Sequence, residues 1–71
     1  TRIFSAFGKG CVVVCHASCK IGIPELENNI NCLIGSSGVE LSNHIYSVVN
    51  NQKQFKKIQT GAFLTLKKLI N

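Results

Sequence analysis

The residues of this chain best suited to chemistry are four cysteines, Cys11, Cys15, Cys19 and Cys32, and two histidines, His16 and His44. Thiols and imidazoles bind metals, attach haem or, as thiol pairs, oxidise to disulfides. The stretch Cys11-Val12-Val13-Val14-Cys15-His16 is one residue longer than the C-x-x-C-H haem-attachment motif, and a haem reading leaves Cys19 and Cys32 without a role. A zinc reading finds enough donors but no paired C-x-x-C spacing. An even number of cysteines in 71 residues favours two disulfides and an oxidising compartment, with no metal or cofactor expected.

Catalysis finds little material. The chain has no Asp, and its three acids, Glu25, Glu27 and Glu40, fall where helix N-termini are expected, so the helix dipole already accounts for them. No nucleophile elbow or metalloprotease helix is present, and Gly8-Lys9-Gly10 lacks the phosphate-loop pattern. An enzyme is not expected.

Charge is the second chemical resource. The formal net charge is +5, and the last thirty-one residues carry Lys53, Lys56, Lys57, Lys67 and Lys68 with no acid. A helical projection of residues 53–70 places Phe55, Ile58, Ala62, Leu66, Leu69 and Ile70 on one side and the five lysines on the other. Leu64 projects into the lysine face, and Gly61 costs about 1 kcal/mol relative to Ala in a helix interior, so a break near Thr60-Gly61 is the alternative to one continuous helix. Ordinary solvated helices mix both signs of charge; this one makes a positive field over its outer surface.

The elements that would position these groups read mainly as helices. Pro24, with Glu25 and Glu27 in the first turn and Leu26, Ile30, Leu33 and Ile34 as an apolar stripe before Gly35, predicts a helix over residues 24–34. Ser37 and Glu40 have capping-box spacing ahead of Leu41, Ile45, Val48 and Val49, which predicts a helix over 38–50. For residues 11–20 the triple valine suits a strand, but no convincing partner strand is evident, and a helix is the preferred reading. Residues 1–10 form a flexible or helical arm.

The disulfide pattern follows from these elements. Cys32 can bond only one other cysteine, so a second internal bond falls within residues 11–19. An antiparallel pair of helices around Gly22 sets Cys11 opposite Cys32 and leaves Cys15 to Cys19; pairing of Cys11 with Cys15 or Cys19, or a covalent dimer through unused thiols, is the alternative.

The expected fold is therefore all-α, a small disulfide-stapled bundle of about four helices over residues 11–20, 24–34, 38–50 and 53–70, in a single domain 1–71. The chain has no Met, which suggests removal of a leader and secretion, and no apolar run nears the roughly 18 residues of a spanning helix. The expected function is that of a secreted cationic host-defence or membrane-active peptide binding anionic lipid or microbial surfaces. Lys53, Lys56, Lys57, Lys67 and Lys68 supply capture, and Phe63, Leu64, Phe4 and Phe7 supply apolar insertion. The alternative is a secreted toxin or signalling ligand docking its basic face on an acidic protein receptor or channel. Nucleic acid is disfavoured, because the helix has no Arg and no recognised module. No family is recognised: the six-cysteine framework of saposin-like membrane-active proteins and the C-x-C element of cystine-stabilised αβ defensins are both absent.

Overall fold

The computed structural model describes residues 2–70. In chain order they form α1 (Arg2–Gly8), β1 (Val14–His16), α2 (Cys19–Gly22), β2 (Leu33–Gly35), α3 (Gly38–Val49) and α4 (Gln52–Ile70). The all-α expectation is corrected by a two-stranded parallel sheet, in which Val14 pairs with Leu33, Cys15 with Ile34 and His16 with Gly35. Parallel strands require a crossover, and residues 17–32, including α2, supply it.

Three consecutive valines explain why residues 11–20 are not one helix. β-branched side chains are stiff at χ1 and suit a pleat, whose alternation sends neighbours to opposite sides. Val12 and Val14 pack with Leu33, Val48 and Ile58, whereas Val13 and Cys15 pack with Phe7, Leu26, Cys32 and Ala62. On the second strand Leu33 faces the first group, and Ile34 faces the other. The small sheet is thus covered on both faces, as parallel sheets generally are. α1 and the C-terminal half of α4 close one side, and α3 with the N-terminal half of α4 closes the other.

The predicted helix over 24–34 is likewise replaced, here by a turn-rich loop leading into β2. Asparagine is the reason. Asn29 adopts φ 63°, a left-handed conformation that Asn tolerates better than most residues. Asn28 Oδ1 accepts a hydrogen bond from the Ile34 amide at 2.8 Å. Asn31 is buried; its Oδ1 accepts from the Glu27 amide at 2.8 Å, while its Nδ2 donates to the Glu25 carbonyl at 2.8 Å and to Thr65 Oγ1 at 2.9 Å. These side chains offer the backbone partners that a helix would otherwise provide.

α3 and α4 lie within a few residues of the expected segments. Ser37, in extended conformation, accepts from the Glu40 amide at 3.2 Å, and Glu40 Oε1 accepts from the Ser36 amide at 3.0 Å. This is a capping box whose return bond lands one residue early. Asn51 Oδ1 accepts from the Gln54 amide at 3.1 Å and opens α4.

α4 passes through Gly61 unbroken because the glycine is required for packing. A Cβ there would lie 1.8 Å from the Ile30 carbonyl oxygen, so only glycine lets the 24–32 loop rest on the helix. A second glycine is set by geometry: Gly10 has φ 82°, and its carbonyl accepts from Gln59 Nε2 at 2.7 Å. Two points of the chain's N-terminal half, Gly10 and Ile30, are thereby set against α4.

The disulfide staple is also corrected, since all four cysteines are free thiols. Cys11 is exposed whereas Cys32 is fully buried, so the pairing expected between them is not formed. The Cα radius of gyration, 11.4 Å, nevertheless equals the roughly 11 Å expected of a folded chain this long, so compaction is achieved without cross-links.

Gly61→Ala tests the loop-on-helix contact. Removing a glycine from a helix interior ordinarily stabilises by about 1 kcal/mol, but overpacking against backbone costs about 1–3 kcal/mol or more. We expect a net loss near 2 kcal/mol, read as a lower urea midpoint at unchanged m-value; a raised midpoint would contradict the packing.

Candidate functional site

The five lysines of α4 are all exposed and share one helix with no acidic residue. Their arrangement follows from what the opposite side buries. Ile58 and Ala62 are buried, one turn apart, and Phe55, Thr65 and Leu66 flank them, which turns Lys53, Lys56, Lys57 and Lys67 outward. Lys68 stands at the edge of this face, where it shares a shallow depression with Glu25, Glu27, Thr65 and Leu69. Lys53, Lys56, Lys57 and Lys67 line no depression with an acid, so the part of the cationic face away from Glu25 and Glu27 is carried by these four.

Two of the expected insertion residues are exposed. Leu64 is 57% exposed and Phe63 44%, so the apolar part of the face is presented without any opening of the fold. Leu64 lies one turn before Lys67 and Lys68, and Phe63 one turn before Lys67. Phe4 and Phe7 are placed differently. Phe7 is fully buried between α1 and α4, and Phe4 is half-buried with its ring edge-on to Phe7 at 5.9 Å. Phe7 belongs to the core and Phe4 packs against it, so neither is presented as Leu64 and Phe63 are.

The thiols form a group of a different kind. Cys15 and Cys19 pack against the core cluster that contains buried Cys32, because the strand, the short α2 and the loop before β2 meet there, and Cys32 Sγ lies 3.8 Å from the Glu27 carbonyl. Burial pushes Cys15 above the ordinary thiol range, and the neighbouring Cys19 adds to the effect. Cys32 is pushed up to about 12, first by burial and then by Cys15. Thiols held protonated in this way are poor nucleophiles and behave as small apolar residues. Among the described residues no three His, Cys, Asp or Glu side chains are grouped as a metal site would group them.

Each histidine has a local structural partner. His16 Nδ1 lies 3.0 Å from Ser18 Oγ and accepts from the Ser18 amide at 3.0 Å, closing the turn after β1. His44 Nε2 is 2.9 Å from the Ile34 carbonyl and ties α3 to β2.

One feature was not legible from the helical projections. Val48 alone of the α3 face Leu41, Ile45, Val48 and Val49 is buried; Ile45 is 51% and Val49 74% exposed. Together with Val12, Val14, Gln52 and Phe55 they line a groove of about 470 Å³ between α3, the strand approach and the start of α4. Its signal in the sequence is an excess of apolar residues, since Val39, Ile45, Tyr46 and Val49 surround α3 more widely than one buried face requires. No helix among the described residues is long and apolar enough to cross a membrane.

The thiol environments are testable by alkylation at pH 8. Cys11 is expected to react first and Cys32 last, because with a pKa of about 12 the Cys32 thiolate fraction is on the order of one in ten thousand. Peptide mapping after brief iodoacetamide treatment reads the order, and equal labelling of Cys11 and Cys32 would contradict the burial. No protein-family model, curated protein or solved structure matches this chain.

Proposed function

We propose that the protein is a membrane-surface binder that captures anionic lipid, the chemistry of a microbial envelope, through the exposed face of α4. The observation that supports this most strongly is the combination on one unbroken helix of five exposed lysines, no acids, and Leu64 and Phe63 exposed among them. A solubilising face has no need of exposed apolar residues at its centre. An interfacial one uses them, because lysines bring the helix to the head groups and apolar side chains then enter the acyl boundary.

Each lysine near an anionic bilayer contributes on the order of 1 kcal/mol, and the attraction decays within a Debye length. Capture is therefore expected to weaken steeply with salt. The helix lies along the surface in this reading and remains folded, since its buried side, Ile58 and Ala62, keeps its place in the core. The expectation of an extracellular setting rests on the cysteine count and on the absence of Met; the thiols here are free, and the proposal concerns surface chemistry and names no compartment.

Lys57 and Lys67 face outward and lie away from Glu25 and Glu27, which makes them better probes than Lys68. In the variant carrying both Lys57→Glu and Lys67→Glu, affinity for phosphatidylglycerol vesicles at low salt is expected to fall about thirtyfold or more, corresponding to at least about 2 kcal/mol. Unchanged circular dichroism keeps the comparison on one fold. Undiminished vesicle affinity would overturn the proposal; failure of the wild type to bind vesicles would leave an acidic protein surface as the partner of the basic face.

A further inference from the structure

The groove beside the lysine face is built for a ligand that the face alone would not select. Its more buried residues, Val12, Val14, Val48 and Phe55, carry apolar side chains, although backbone polar groups also reach the groove, and its exposed residues are Ile45, Val49 and Gln52. Its volume of about 470 Å³ falls within the roughly 300–1,000 Å³ of small-molecule sites, and an apolar lining with one or two polar groups is their usual composition.

Charge identifies the end of the ligand that the lining leaves outside. No acidic residue lines the groove, and the acid of α3, Glu40, sits in that helix's first turn, away from Ile45, Val48 and Val49. On α4, Lys56 is four residues beyond the groove residue Gln52, so it lies one helical turn past the lining on the same side of the helix as Gln52. An apolar trough with an uncompensated cation beside its amide-bearing rim complements a chain that is aliphatic along its length and anionic at one end.

We propose that this groove binds a single-chain fatty carboxylate, with the alkyl chain between α3 and β1 and the carboxylate at Gln52 and Lys56. Tail burial supplies the affinity, and the head group sets orientation and preference for the acid over the alcohol. The site shares Lys56 with the outward face of α4 and is otherwise made of different residues, so Ile45→Glu tests it apart from that face. A surface binder with such a groove would take up monomeric fatty acid independently of intact bilayer.

Decanoate and 1-decanol serve as charged and neutral probes in an NMR titration of the valine and isoleucine methyl groups. Saturable shifts at Val12, Val14, Ile45, Val48 and Val49 are expected with both. Ile45→Glu, an exposed substitution that the fold tolerates, is expected to weaken both by about tenfold or more, since it places a charge on the apolar rim. Lys56→Glu is expected to weaken decanoate by about fivefold or more and to leave decanol nearly unchanged. Absence of shifts at these methyls, a Lys56→Glu effect equal for both probes, or the same shifts appearing on raising the protein concentration without ligand, which marks a second copy as the occupant, would each overturn the proposal. Vesicle binding by Ile45→Glu is expected to match the wild type, so failure of the groove and failure of the lysine face are read separately.

Discussion

The fold depends on one contact between a loop and a helix. The Ile30 carbonyl rests where Gly61 has no Cβ, and four residues further along α4 the Thr65 hydroxyl receives the side chain of buried Asn31. Asn31 also holds the loop itself together through Glu25 and Glu27, so one side chain both shapes the crossover and docks it. Thr65 in turn donates to the Gly61 carbonyl at 3.0 Å, which completes the link back to the helix backbone. An unmade hydrogen bond at such a position costs about 1–3 kcal/mol, a large share for a domain this small.

That dock decides where everything else faces. With the loop fixed on α4, β2 is delivered beside β1, and the strand alternation divides the core into two groups that α4 spans through Ile58 and Ala62. The helix has then used one side for packing, and its lysines, with Leu64 and Phe63, are left to the outside. The groove has the same origin. α3 closes over the sheet through Val48 but is broader in apolar surface than the two short strands beneath it, so Ile45 and Val49 overhang.

The sequence was most readable where a single local signal had no competitor. Ser37 and Glu40 mark the start of α3, and the 3.6-residue spacing of Phe55, Ile58, Ala62 and Leu66 marks α4 and its outward lysines. The N-terminal half is less legible because its signals conflict. The three valines argue for a strand, but its partner, Leu33–Gly35, is three residues long and continues an apparent helical stripe. Within that stripe the decisive residues were polar: Asn28, Asn29 and Asn31 turn the chain by bonding its backbone, an effect that apolar periodicity does not register. The cysteines mislead for a related reason, since their count suggests cross-links, whereas Cys15, Cys19 and Cys32 take part in the core as free thiols. Gly61 looked like a possible break because propensity speaks only of the helix, and its role lies in a contact thirty-one residues away.

A double-mutant cycle of Asn31→Ala and Thr65→Val, followed by urea unfolding, tests the central contact most directly. If the loop is locked to α4 as described, the two losses are non-additive, with a coupling energy of about 1 kcal/mol, because either substitution alone already breaks the shared hydrogen bond. Strict additivity would mean that Asn31 and Thr65 act independently, and would contradict the docking on which the sheet, the lysine face and the groove all rest.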